Sequence, residues 1–119
     1  MPAREAPPAA PRAHQRTPGP QELVAAAGVF ALLADATRPH LAWLLAREES
    51  DVSALAEAVG AARPVVSQHL AKLRLGGLVE TRKEGRRVIH SLPDGHLRRL
   101  GVEAISHVAH QVSGEPWHD

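Results

Sequence analysis

Apolar residues recur with a helical period over the first half of the chain. Between residues 21 and 34 they fit one amphipathic helix that contains Leu23, Val24, Val29, Phe30, Leu32 and Leu33. A second helix is expected to begin with Thr37 as its N-cap, to accept Pro39 in its first turn, and to run through Leu45. A short third helix should follow over 54–59, capped by Ser53 and ended by Gly60.

The next helix should pair with the third one in a helix-turn-helix. It is expected to run from Arg63 to Leu75, and its apolar positions 66, 70 and 73 face the core at i, i+4 and i+7. Two short helices joined by a tight glycine-containing turn, the second with a polar outer face, are typical of this motif. The candidate DNA-contacting residues of the second helix are Arg63, Ser67, Gln68, His69 and Lys72. An ordinary helical hairpin with a solvated face is the alternative.

The pattern then changes to two strand-like runs, LVETRK (78–83) and RRVIHSL (86–92), on either side of Glu84 and Gly85. They predict a β-hairpin, here called the wing (residues 78–92). Its basic residues are candidate contacts to a DNA groove or backbone: Arg82, Lys83, Arg86 and Arg87. A solvated hairpin whose charged edge prevents aggregation is the alternative, but it does not explain why these charges share one sign.

The last helical pattern, LRRLGVEAISHVAHQV, follows Pro93 in a predicted first turn and stops before Gly114 and Pro116. It carries D-x-H-x10-H-x2-H, formed by Asp94, His96, His107 and His110. His96 and His107 are separated by nearly three whole turns and share a face, yet eleven residues span about 16 Å of helix axis. Metal–ligand bonds are about 2 Å long, so one helix cannot close both pairs on a single ion.

Two copies of this helix, packed antiparallel about a two-fold axis, would bring the two halves of the pattern together. Asp94 and His96 of one copy would then lie beside His107 and His110 of the other, which gives two symmetric metal sites per homodimer. One carboxylate and three imidazoles suit four-coordinate Zn²⁺. If His118 or His14 joined the set, Ni²⁺ or Co²⁺ would be favoured; solvated histidines with no metal role are a further alternative.

Composition narrows the class of protein. The chain of 119 residues has only three aromatic residues and no cysteine, which predicts one domain with an aliphatic core and excludes disulfides and thiolate metal sites. No signal peptide or membrane span is visible, so we expect a cytoplasmic protein. A proline-rich basic arm (1–20) and a flexible tail (114–119) should flank the domain, residues 21–113.

Charge is unevenly distributed along the chain. Residues 21–59 carry a net charge of −4, whereas residues 60–92, which hold the second helix of the helix-turn-helix and the wing, carry +5. The basic segment therefore indicates an anionic partner such as double-stranded DNA.

From Leu32 to Gln111 the chain resembles the ArsR/SmtB family of winged-helix metal-sensing repressors. The resemblance rests on LADATR (33–38), LAEAVG (55–60), VVSQHLAKLRLGGLV (65–79) and EGRRVIHSL (84–92). It implies a mainly α winged helix-turn-helix homodimer, and it implies that D-x-H-x10-H-x2-H is the zinc-type sensing site at the dimer interface. The resemblance also implies that Asp51 and Ser53 stand where members that sense soft metals carry a C-x-C pair, so we expect that second site to be absent.

Together these patterns predict a repressor, not an enzyme, that releases operator DNA, expected to be an inverted repeat, when Zn²⁺ bridges the two C-terminal helices. The same fold with no metal response, or with a nickel or cobalt response, is the closest alternative. A small metalloenzyme is disfavoured because a saturated four-ligand site leaves no position for a substrate water.

Overall fold

The computed structural model of the chain describes residues 16–113. In chain order, these residues form α1 (Pro20–Leu32), α2 (Thr37–Arg47), α3 (Val52–Val59), α4 (Arg63–Leu75), β1 (Glu80–Glu84), β2 (Arg87–Ser91) and α5 (Gly95–Ser113). None of these helices is long and apolar enough to cross a membrane. Most of the predicted arm lies outside the described residues, as do the predicted tail, His14 and His118.

Two helix starts differ from the sequence prediction because aspartates provide the caps. Oδ1 of Asp35 accepts hydrogen bonds from the backbone N–H groups of Thr37 and Arg38, at 2.7 and 3.2 Å. Oδ1 of Asp51 likewise accepts from Ala54 N at 2.9 Å. The predicted caps at Thr37 and Ser53 were therefore wrong, since both residues lie inside the first turn.

The last helix also begins later than expected. Pro93 precedes α5, and Asp94 stands before Gly95 with its Oδ1 accepting a hydrogen bond from Leu97 N at 3.0 Å. The predicted place of Pro93 in the first turn was wrong, whereas Asp94 does lie at the irregular start of the helix. The first helix was also predicted two residues too long, since α1 ends at Leu32.

The core is aliphatic, as predicted, and α4 supplies its centre. Val66, Leu70 and Leu73 are buried, and they pack with residues of α2, α3 and the wing: Leu41, Leu45, Leu55, Ala56, Leu78, Val79 and Leu92. The C-terminal helix α5 crosses α2 closely at Gly101, where an added Cβ would lie 3.5 Å from Ala42. This packing holds the start of α5 against the body of the domain.

The wing is an antiparallel hairpin in which Glu80 pairs with Ser91 at one end and Glu84 with Arg87 at the other. Gly85 makes the turn with a φ of 66°, a left-handed conformation that glycine adopts without steric cost. Ser50, in the linker between α2 and α3, pairs with His90 through two backbone hydrogen bonds of 3.1 and 2.8 Å. The linker thus extends the hairpin by one short pairing.

Candidate nucleic-acid interface and metal site

The helix-turn-helix is formed by α3 and α4, which turn around Gly60 in a left-handed conformation with φ of 72°. Burial of one face of α4 in the core leaves its opposite face exposed to solvent. Four of the predicted DNA-contacting residues lie exposed on this helix: Arg63, Ser67, Gln68 and Lys72. They offer hydrogen-bonding groups suited to base edges and phosphates.

His69, the fifth predicted residue of this helix, points toward the protein. It is partly buried, and its Nδ1 lies 3.4 Å from the guanidinium of Arg38 at the start of α2. The same guanidinium donates through Nε to the backbone carbonyl of Leu32 at the end of α1. His69 therefore connects α4 to the α1–α2 corner, and its geometry does not favour a role in contacting DNA.

A cleft of about 570 Å³ separates α4 from the wing. Its walls include the exposed Arg63 and Ser67 on the helix and Arg86 on the hairpin. Arg74 also lines it, a residue that sequence reasoning did not select. The signal was present, because Arg74 follows Arg63 by eleven positions and so shares its face. The cleft combines a helix with a polar face and a basic hairpin, which is a surface for a polyanion.

The four basic residues of the wing differ in their surroundings. Arg82 donates two hydrogen bonds to the Glu49 carboxylate, at 2.8 and 2.6 Å, and one to Glu84 at 3.0 Å. Arg87 donates to Oδ2 of Asp51 at 3.0 Å. Within the described range, no such ion pair involves Lys83 or Arg86. All four cations are exposed, but two of them are engaged with carboxylates and two make no such ion pair within the described range.

These contacts favour the charged forms of the carboxylates. Hydrogen bonds from Arg82 hold the pKa of Glu49 below its ordinary value, and the same contacts raise the pKa of Arg82. The pKa of Asp51 is lowered first by the backbone N–H of Ala54 and then by Arg87. All of these pairs are consequently ionised at neutral pH.

His90 is the buried polar residue of the wing, with 9% of its surface exposed. Its Nδ1 makes no hydrogen bond with the described residues, and burial lowers the pKa of its imidazole. The backbone of the same residue forms the pairing with Ser50. His90 therefore lies at the junction between the wing and the α2–α3 linker, and it is neutral at physiological pH.

The metal-site prediction falls on α5, a continuous helix from Gly95 to Ser113. Asp94, His96 and His107 are exposed, and His110 is partly buried. Within residues 16–113 of a single chain, no three histidine, cysteine, aspartate or glutamate side chains are grouped so that they could hold an ion.

The three predicted histidine ligands lie on the side of α5 opposite its contact with α2. Helical geometry places His96, His107 and His110 on one face, roughly opposite Gly101, which contacts α2. Glu103 lies on the same face, one turn before His107, and is exposed. This carboxylate was not among the predicted ligands, although its position four residues before His107 places it on the same face of α5.

His96 has a partner within its own helix. The guanidinium of Arg99 lies 2.8 Å from Nδ1 of His96. Because a guanidinium has no acceptor, Nδ1 of His96 must be the acceptor in this contact. In the neutral ring the proton is then on Nε2.

Comparison with known proteins places this arrangement in one family. Residues 37–81 match the family described as bacterial regulatory protein, arsR family. The chain is 47% identical over 90 residues to the HTH-type transcriptional regulator KmtR of Mycobacterium tuberculosis, an alignment that covers 76% of this chain and 69% of KmtR. It is 34% identical over 91 residues to the HTH-type transcriptional repressor SmtB of the same species, covering 76% of this chain and 67% of SmtB.

The fold has a matching solved structure. The solution structure of a homodimeric winged helix-turn-helix DNA-binding domain from Mycobacterium bovis superposes with a TM-score of 0.69 at 31% identity. The match covers 82% of this chain and 90% of that domain. It confirms the predicted winged helix-turn-helix fold, and the family is one of DNA-binding regulators, not of enzymes. The chain belongs to the ArsR family and is a DNA-binding transcription regulator with a winged helix-turn-helix fold.

Proposed function

We propose that the protein is a homodimeric repressor that binds operator DNA in its metal-free form and releases it on binding Zn²⁺. Each ion would be held by Asp94 and His96 of one protomer and by His107 and His110 of the other. The observation that carries the proposal is that His96, His107 and His110 share the face of α5 opposite Gly101, with Asp94 fixed at the start of the helix.

Exposed apolar surface supports the dimer. In the single chain, Leu23, Val24 and Phe30 of α1 are 56%, 74% and 62% exposed, and Val112 near the end of α5 is 81% exposed. Large apolar side chains exposed on two helices are typical of a surface that a partner chain covers. A second copy that covers α1 and α5 would bury this surface and bring the two α5 helices together.

The residues present fit a zinc ion. One carboxylate and three imidazoles form a set of four nitrogen and oxygen ligands, which is the number that Zn²⁺ prefers. Asp94 uses Oδ1 to cap α5. Because a carboxylate has a second oxygen, capping and metal binding are compatible. The cap also holds Asp94 at the start of the helix, beside the position of His96.

The metal would act on DNA binding through geometry, since the proposed ligands lie outside the basic cleft. A bound ion would supply a cross-link between the two α5 helices. Each α5 packs closely on α2 at Gly101, and α2 packs with α4 in the core. A change in the relative placement of the α5 helices would therefore alter the spacing of the two α4 helices, which must match successive major-groove faces of the operator.

A variant of one ligand tests this proposal. His107→Ala should abolish DNA release by Zn²⁺ and weaken metal binding more than about 100-fold, beyond the loss seen when groups that only support a ligand are removed. DNA binding without metal should remain, because His107 lies on α5, away from the cleft. The measurement is fluorescence anisotropy of a labelled operator duplex with and without Zn²⁺. Loss of metal-free binding would contradict the assignment.

A nickel or cobalt response is the second candidate, and Glu103 is the observation that favours it. A carboxylate one turn from His107 could raise the ligand number toward the five or six that these ions accept. The visible spectrum of the Co²⁺ complex separates the two cases. An intense tetrahedral spectrum unchanged in Glu103→Gln supports zinc, and a weak octahedral spectrum altered by this substitution supports nickel or cobalt.

A further inference from the structure

The wing holds an arginine whose surroundings conflict with a role in DNA binding. We propose that Arg82 is a positioning residue, which fixes the wing against the α2–α3 linker (residues 48–51) and makes no contact with DNA phosphate. The wing's phosphate contacts then come from its other cations, Lys83 and Arg86 among them.

The first observation is the geometry of the ion pair. Two nitrogens of Arg82 donate to the two oxygens of Glu49, at 2.8 and 2.6 Å, and Nη2 also donates to Glu84 at 3.0 Å. Such a two-point contact fixes the orientation of the guanidinium as well as its distance. A phosphate that approached Arg82 would have to displace Glu49 and would meet two carboxylates.

The second observation is the alternation of side chains along β1. Arg82 pairs with Ile89, which is buried, whereas Lys83 pairs with Val88. Val88 lines the cleft that faces α4. Because directly paired residues in an antiparallel sheet share a face and neighbours along a strand alternate, Lys83 lies on the same face of the hairpin as Val88, and Arg82 lies on the opposite face.

The third observation is that two further contacts join the wing to the α2–α3 linker. Ser50 and His90 exchange two backbone hydrogen bonds, and Arg87 donates to Asp51 at 3.0 Å. Arg82 with Glu49, Ser50 with His90, and Arg87 with Asp51 thus join three successive linker residues to the hairpin. These three contacts form the seam between the wing and the linker. Because the linker leads into α3 of the helix-turn-helix, the seam sets the angle between the wing and α4.

Salt dependence distinguishes a positioning residue from a phosphate contact. The salt slope, which is the magnitude of the fall of log K with log salt concentration, decreases by about 0.9 for each phosphate contact that is lost. We expect Lys83→Gln to lower this slope. Arg82→Gln should leave the slope unchanged and weaken binding by no more than about fivefold at each salt concentration, the range for an exposed ion pair. The probe is a duplex that the wild-type protein has selected from a randomised library.

Arg82→Lys is the second variant, since it keeps the positive charge but cannot make the two-point contact with Glu49. The proposal expects it to lose affinity as Arg82→Gln does, with the wild-type slope. Two results would overturn the proposal: a reduced slope in Arg82→Gln, or wild-type affinity in Arg82→Lys together with weak binding in Arg82→Gln. Thermal unfolding of both variants verifies that they are folded.

Discussion

Contacts with arginine determine which ring nitrogen accepts a hydrogen bond in two histidines of this protein. His69 faces Arg38 and His96 faces Arg99, and in each case the guanidinium can only donate, so Nδ1 accepts. For His96 the contact opposes metal binding. A metal at Nδ1 would displace Arg99, and a metal at Nε2 would require the ring proton to move to Nδ1, which also breaks the contact. Arg99 therefore competes with the proposed ion.

Removal of this competition should strengthen metal binding. We expect Arg99→Ala to bind Zn²⁺ about two- to tenfold more tightly than the wild type. This factor corresponds to the net free energy of a single hydrogen bond. Arg98→Ala is the matched control, because it removes the same charge from the adjacent position, and side chains two residues apart on a helix do not face each other. Zinc affinity is measured by competition with a chromogenic chelator. Equal gains in both variants would show that only net charge matters.

At the scale of elements, the sequence predicts periodic features well and contacts between distant segments poorly. The buried residues Val66, Leu70 and Leu73 of α4 follow from the hydrophobic period, and the end of the helix follows from the glycines after Leu75. The caps at Asp35 and Asp51 do not, because a cap depends on the backbone conformation just before the helix, where Ser53 was an equally suitable candidate. Contacts such as that between Glu49 and Arg82, 33 residues apart, leave no local pattern in the sequence.

The seam between the wing and the linker should make stability depend on pH through His90. Burial lowers its pKa in the folded state below the value of about 6.5 for free histidine. Above pH 6.5 the imidazole is neutral in both states and imposes no penalty. As the pH falls below this value the unfolded chain takes up a proton that the folded chain does not, so stability is lost. The nearby charges of Arg74 and Asp51 act on it in opposite directions.

This pH effect can be measured with one substitution. Between pH 7 and pH 5.5 the free energy of unfolding of the wild type should fall more steeply than that of His90→Gln, whose side chain does not titrate. Urea titrations followed by circular dichroism at each pH give both values. Parallel curves for the two proteins would show that His90 is protonated equally in the folded and unfolded states.

At the scale of the whole molecule, function is proposed to depend on a second copy of the chain. The four ligand-type residues and their spacing were visible in the sequence, as was the basic segment that forms α4 and the wing. The contacts of individual residues were not visible in the sequence. Arg82 and His69 were predicted to contact DNA, but in the structure Arg82 contacts Glu49 and His69 contacts Arg38. The carboxylates that hold Arg82 and the guanidinium that faces His69 are apparent only in three dimensions.

The central claim is that each metal site is shared between protomers, and complementation tests it most directly. One protomer carries Asp94→Ala and His96→Ala, and a differently tagged partner carries His107→Ala and His110→Ala. Each variant alone should bind no zinc tightly. The purified heterodimer should contain one intact site, and so bind one zinc ion per dimer, because the unaltered halves of the ligand set meet across the interface. A heterodimer that binds no zinc, measured by isothermal titration, would contradict the account.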